Sequence, residues 1–151
     1  MKKKYELTDE TICVCGHTIY RIRALKAFAN VKAGELGGFI ESEANLSHCN
    51  TSWVSDNAKV YGNALVRDNA RVYGNARVYG NAAICGNAWV YGDAEVFGET
   101  YIHGLAHIFG TARVFGNIYL CRKSELDHGI WNREIQISYR HYLISTMLQK
   151  I

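Results

Sequence analysis

The sequence has no proline, so every reversal of the chain falls to other residues, and 14 glycines are present to supply them. No stretch is long and apolar enough to span a bilayer. Met1-Lys2-Lys3-Lys4 runs straight into Tyr5-Glu6-Leu7-Thr8-Asp9-Glu10, so the apolar region of a signal peptide is missing as well. Net charge is scarce: 17 basic and 14 acidic residues leave +3, too little for a nucleic-acid-binding footprint. Five cysteines are an odd number, and without a secretory signal they read as reduced thiols, which makes a cytoplasmic, non-membrane protein the expectation. What remains is ordinary for a soluble domain: 151 residues, 48% apolar and 21% charged, enough for one core.

Against that background one six-residue phrase stands out. It is best preserved as Ala70-Arg71-Val72-Tyr73-Gly74-Asn75 and its successor Ala76 to Asn81, and it runs unbroken from Ser52 to Lys123, 72 residues or twelve hexads. The third position is aliphatic every time, from Val54 to Leu120, and the first is Ala except at Ser52, Thr100 and Ile118. A strict short period marks a solenoid, whose repeats bury their apolar faces only against one another. Ala and Val two apart share one side of an extended segment, and the residue between them faces the other. Aromatic-Gly-Asn then turns the chain, because Gly and Asn tolerate left-handed backbone. A helix is disfavoured: a period of six keeps no helical face, and each Gly would cost about 1 kcal/mol relative to Ala. Three such units close a triangle of about 18 residues, with coils about 4.8 Å apart, so twelve hexads make about four coils.

The phrase Val78-Tyr79-Gly80-Asn81-Ala82-Ala83 resembles the hexapeptide-repeat family, whose members are left-handed parallel β-helices with the pattern aliphatic-Gly-x-x-small-x. It departs from that pattern by placing Tyr before Gly. The resemblance implies an all-β, left-handed parallel β-helix, commonly a trimer packed side by side. A longer stretch, Asn30 to Glu41, then Asn45-Leu46-Ser47 and the repeat, is similar to uncharacterised proteins of phages and prophages. That likeness implies a fold and a setting, the cytoplasm of an infected or lysogenic bacterial host, and no activity.

Residues 1–51 and 124–151 flank the repeat as caps, since a solenoid with open ends would expose unpaired strand edges. In the first, Lys4–Val14 and Thr18–Leu25 form a hairpin turning at Cys15-Gly16-His17, Ala24–Asn30 makes a helical turn, and Gly34, Gly37 and Gly38 form a tight loop. That loop is no phosphate cradle, for it lacks the Lys-Ser/Thr ending. Arg21, Arg23 and His17 read as capping and solvated residues. After Lys123, Ser124–Ile130 is a loop, and Trp131–Ser138 pairs with His141–Ser145 as the second capping hairpin. Trp131, Tyr139, Tyr142 and Leu143 plug the last coil, and Thr146–Ile151 is a short helical end.

Residues 18 apart stack in columns. Face one presents Trp53, Arg71, Trp89 and His107 beside the corner residues Tyr73, Tyr91 and Phe109. Aromatic planes and a guanidinium suit bases and phosphate, so this column is the candidate ligand-binding surface. The competing reading is a self-stacked cation–π ladder or an oligomer contact. At a coil spacing of about 4.8 Å neighbouring rings are too far apart to stack directly, which leaves room for planar ligands to interleave. Face two, Lys59, Arg77, Glu95 and Arg113, is mostly charged and faces water. Face three, Leu65, Ala83, Tyr101 and Tyr119, is apolar along its height and is the candidate oligomer interface.

Catalytic signals are thin. Acyltransferases on this fold use a His base and a loop that leaves the coil to cover the cofactor; here no loop interrupts the hexads, and His103 and His107 have no evident orienting partner. The column Cys85, His103, Cys121 cannot close on one ion, because its outer members lie about 9.6 Å apart where zinc needs sulfurs within about 4 Å. Cys13 and Cys15 lack a second pair. No metal and no cofactor are expected. The favoured function is a non-catalytic, oligomeric, phage-type binding protein that counters host defence by engaging a host protein complex or sequestering a nucleotide signal. An acetyl-CoA-dependent acyltransferase using His103 or His107, and a structural protein, stand as alternatives.

Overall fold

The computed structural model describes residues 2–121, 123–132 and 135–137. Two long strands open the chain, β1 (Tyr5–Val14) and β2 (His17–Ala24), antiparallel and joined at Cys15-Gly16, both with positive φ (49° and 83°). β3 (Leu36–Ile40) pairs antiparallel with β2 and then parallel with Lys59–Val60, so the hairpin continues one sheet of the repeat region. No helical turn forms at 24–30. Instead Phe28 and Val31 exchange backbone hydrogen bonds (3.0 and 2.8 Å) around a tight turn whose Ala29 has φ 47°. The helical content is a single 3-10 turn, Glu43–Asn45, among the described residues.

Among the described residues from Trp53 to Ile137 the chain is a parallel β-solenoid. Fifteen strands of two or three residues, Trp53–Val54 to Ile135–Ile137, fall into three sheets in which each strand pairs with those one coil away, giving five turns. The inward positions are those read from the repeat. Ala58, Ala70, Ala76, Val60, Val72 and Val78 are all fully buried. Burying a Val contributes about 1.5–3 kcal/mol, and stacking repeats the gain coil after coil in one continuous core. Ser52 and Thr100, which replace Ala, are buried too, and Thr100 returns its hydroxyl proton to the Phe97 carbonyl at 2.7 Å.

The coil count corrects the expectation of about four. Glu125–Leu126 pairs with His107–Ile108, Ile130–Trp131 with Arg113–Val114, and Ile135–Ile137 with Ile118–Leu120, all parallel. Strands in solenoid register therefore occupy positions expected to be a loop and one arm of a hairpin. Period-six reading loses them because one corner is shortened: Val114 and Trp131 are partners 17 residues apart, where Ile108 and Leu126 are 18 apart. Trp131 is itself an inward, fully buried rung, its indole N–H donated to the His128 carbonyl at 2.7 Å. Tyr139, Tyr142 and Leu143, the arm His141–Ser145 and the end Thr146–Ile151 lie outside the described residues.

At the other edge Asn45 is buried with its amide fully used. Its Oδ1 accepts from the Glu41 and Ser42 backbone (3.1 and 2.9 Å), and its Nδ2 donates to the Gly62 and Ala64 carbonyls (3.1 and 2.8 Å). Gly37 and Gly38 are packing residues: a Cβ on Gly37 would stand 2.6 Å from the Val54 carbonyl oxygen.

Candidate ligand-binding site

Face one forms as registered: Trp53, Arg71, Trp89 and His107 are successive partners, followed by Glu125. Its members have different surroundings. Trp53 is not part of an exposed surface. It is 1% accessible, covered by Phe28 (ring centroids 5.3 Å, 75°) and Tyr5 (6.3 Å, 66°). The N-terminal segment lies over the first rung and takes its indole into the core, a contact that column arithmetic could not foresee.

Lower in the column the rings do stack directly, which corrects the interleaving picture. Trp89 and His107 lie 4.9 Å apart at 9°, and the corner residues form a ladder, Tyr73 on Tyr91 (4.8 Å, 1°) and Tyr91 on Phe109 (5.1 Å, 6°). Between Trp89 and His107, and between the stacked corner rings, there is no space for a planar guest. Offset stacking of this kind contributes about 0.5–1.5 kcal/mol per pair beyond burial. Tyr73 meets Trp89 edge-on at 6.1 Å.

Arg71 breaks the ladder. Among the described residues its guanidinium makes no hydrogen bond, no ion pair and no contact over an aromatic ring, although it stands between two tryptophans. It is half-buried, and burial pushes its pKa down, with Glu35 acting the other way. It borders an open hollow of about 500 Å³ lined by Ala29, Asn30, Ser55, Arg71, Tyr73 and Trp89. The side-chain polar groups of Asn30, Ser55 and Tyr73 likewise have no protein partner among the described residues. Elsewhere the corners pair their polar groups with each other, as in Asn63 to Asn81 (3.1 Å), Asn75 to Asp93 (3.2 Å) and Asn81 to Glu99 (2.6 Å). Polar groups without protein partners, Asn30 exposed and Ser55, Arg71 and Tyr73 half-buried, border the hollow beside the Trp89 ring, a mixed aromatic and polar lining of the kind small-molecule sites use.

The hollow has a cause in the repeat. Ser55 occupies, one coil before Tyr73, the corner position that is aromatic in Tyr73, Tyr91 and Phe109. The ladder ends at Tyr73, the small side chain leaves the space above it open, and the Ala29–Asn30 turn walls it. Ala29, Asn30 and Ser55 were not singled out by the column reading. The departure of the first hexad, Ser-Trp-Val-Ser-Asp-Asn, from the repeat phrase was the available signal.

Lys4 lies behind this wall. It is fully buried without a carboxylate partner, its Nζ donating to the Ser52 carbonyl (2.6 Å) and hydroxyl (3.2 Å) and the Asn50 carbonyl (3.4 Å), 5.0 Å from the Phe28 ring centre. Burial, with Arg71 and Lys26 adding repulsion, lowers its pKa to about 8. Burial, with Tyr91 and Asp56 adding to it, raises the Tyr73 pKa and keeps that phenol a donor.

The other candidate residues are placed as follows. On face three Leu65, Ala83 and Tyr101 are half-buried and Tyr119 is exposed; Tyr101 stacks on Tyr119 at 5.1 Å. The hydroxyls are tied at the edge, Tyr101 accepting from Arg67 (3.0 Å) and Tyr119 bonded to His103 Nε2 (2.9 Å). His107 is held under Trp89, and among the described residues no carboxylate hydrogen-bonds to His103 or His107. Cys85 is buried with its thiol toward the Ile102 carbonyl (3.5 Å), and among the described residues no cluster of metal-ligating side chains occurs. Arg21 is pinned by Glu10 (3.1 Å) and the Gly37 carbonyl (2.8 Å), Arg23 by Glu6 (3.4 Å) and His17 by Glu41 (2.9 Å).

Residues 70–84 match the family described as the YdcK beta solenoid repeat. The matched segment, Ala70 to Ile84, is two and a half hexads of the regular repeat and speaks to the fold. No curated protein matches the chain. Among the described residues no helix is long and apolar enough to cross a membrane.

Proposed function

We propose that this is a non-catalytic binding protein, built on a left-handed solenoid capped at its ends, which takes an anionic, flat ligand at the Arg71 hollow. The observation that carries the reading is Arg71 itself: a half-buried guanidinium with no partner among the described residues, beside groups that are also unpaired. An unpaired, partly desolvated cation costs stability and is retained where a ligand supplies the counter-charge. The resemblance to phage proteins gives the setting. The protein works as a homotrimer through face three in the cytoplasm of an infected bacterium and counters host defence by sequestering a nucleotide-like signal. Acyl transfer has less support, since neither His103 nor His107 has a carboxylate to orient it among the described residues.

Ser55→Tyr tests this reading. It extends the aromatic ladder by one ring into the hollow and leaves the core untouched. Native mass spectrometry of protein purified from phage-infected cells is expected to show a small-molecule adduct on the wild type and none on Ser55→Tyr, with equal thermal stability. An adduct that survives Ser55→Tyr, or a variant that counters host defence as well as the wild type, rules the hollow out.

A further inference from the structure

The hollow has features that narrow the ligand class. One face of Trp89 is covered by His107 at 4.9 Å, and the opposite face, toward the coil of Arg71, is covered by no ring; Trp89 remains 40% exposed. Arg71, the residue that would close that face in a self-stacked ladder, is over no ring among the described residues. The hollow therefore joins one open indole face to one unpaired guanidinium. Ser55 and Tyr73 add hydroxyls, and Asn30 adds an amide that both donates and accepts. Arg71 is the cation lining the hollow; Glu35 acts on it from nearby, and the neighbouring cation, Lys4, is buried and already committed to the Ser52 carbonyl.

We infer, resting on the hollow being the ligand site, that its ligand is a nucleoside monophosphate. The base lies on the open face of Trp89 with its edge toward the Asn30 amide, and the phosphate takes the Arg71 fork and the Ser55 and Tyr73 hydroxyls. A phosphate monoester suits this donor set better than a carboxylate, since the guanidinium takes two oxygens side by side and leaves a third for the hydroxyls. A volume of about 500 Å³ holds one nucleotide, and it lies in the lower part of the roughly 300–1,000 Å³ range of small-molecule sites. Tyr91 and Phe109 are covered by stacking and the upper Tyr73 face borders the same hollow, so the volume sets the limit on the ligand. The site is thus matched to a mononucleotide and not to a cyclic dinucleotide or a strand.

The test is calorimetric titration with AMP, GMP and UMP, and with adenosine, inorganic phosphate and a cyclic dinucleotide. Intrinsic fluorescence is a second readout, because Trp53 and Trp131 are buried and Trp89 is not. At least one monophosphate is expected to bind and quench, with its nucleoside, phosphate alone and the dinucleotide each weaker by roughly tenfold or more. Arg71→Ala should reduce the monophosphate to the level of the nucleoside, and Trp89→Ala should abolish the quench. Equal binding of nucleoside and monophosphate, or of the dinucleotide, overturns the assignment. If none of these compounds binds while Ser55→Tyr still removes an adduct of other chemistry, the mononucleotide is wrong and the hollow stands.

Discussion

Asp56 accepts the backbone N–H of Gly74, one coil further along, through Oδ2 at 3.0 Å. Asp68 does the same for Gly86 at 2.9 Å, and Glu41 for Gly62 at 2.8 Å. Each acid heads a column of stacked corner glycines. Below it the coils approach so closely that a Cβ on Gly74 would lie 2.9 Å from the Gly92 nitrogen. The regular rungs run the other way, each N–H donating to a carbonyl of the following coil, as Asn57 does to Gly74 at 3.0 Å, and the carboxylate gives the first glycine N–H of each column an acceptor. Asp56 and Asp68 hold the left-handed backbone of the glycines they replace, with φ 56° and 59°. Asp68→Ala removes the acceptor and keeps a Cβ at positive φ, so urea unfolding should show a loss of about 1–2 kcal/mol at unchanged slope. An unshifted midpoint would mean that water replaces the carboxylate without cost.

Val78 lies at mid-solenoid with no accessible surface, in the column of Val60 and Val96. Val78→Asp buries an unpaired charge there and should abolish cooperative folding, whereas Arg77→Ser, one residue away and outward, should be within about 1 kcal/mol of the wild type. Circular dichroism melts of the two proteins check the contrast.

The solenoid was legible because the repeat carries its own packing instruction: a small residue, an outward residue and an aliphatic one, then a corner that only a few residues can turn. The column positions of Trp53, Arg71, Trp89 and His107 followed from counting alone. Their surroundings did not, because what covers Trp53 and walls the hollow is the non-repeating segment around Phe28 to Asn30. The fifth coil was hidden by a single missing corner residue, which shifts the period without interrupting the hydrogen-bonded register. A periodic reading sees distances along the chain, and the ladder of backbone bonds tolerates a shorter corner.

Lys4 makes stability depend on alkaline pH. Its folded pKa, about 8, lies below the ordinary 10.5, chiefly through burial. Between those values the unfolded chain holds a proton that the folded chain has released, so stability rises with pH from about 8. Tyr5 acts in the opposite sense: burial raises its pKa above the ordinary 10.0, so above that pH the unfolded phenol ionises first and stability falls. The melting temperature should therefore climb from pH 8 to about 10 and then decline. Lys4→Met should flatten the climb, and Lys59, lowered by burial as well, should keep a remainder of it. An identical pH profile for Lys4→Met would show that Lys4 titrates in the folded protein as it does in the unfolded chain.

The oligomer prediction rests on face three. Leu65, Ala83 and Tyr101 form consecutive outward rungs with Tyr119 below, and the polar groups at the strip's edge are already paired, Arg67 with Tyr101 and His103 with Tyr119. A strip whose hydroxyls are satisfied from within can be covered by another subunit at little desolvation cost, and the resemblance to hexapeptide-repeat proteins makes a closed, side-by-side trimer the expected form. Ala83 is at its centre. Ala83→Arg would place three guanidinium groups around a three-fold axis, where loss of water and mutual repulsion both oppose assembly. Light scattering at micromolar concentration should give a trimer mass for the wild type and a monomer mass for Ala83→Arg, with Ala83→Ser retaining the trimer. A monomeric wild type, or an Ala83→Arg protein that still assembles, would remove face three as the interface.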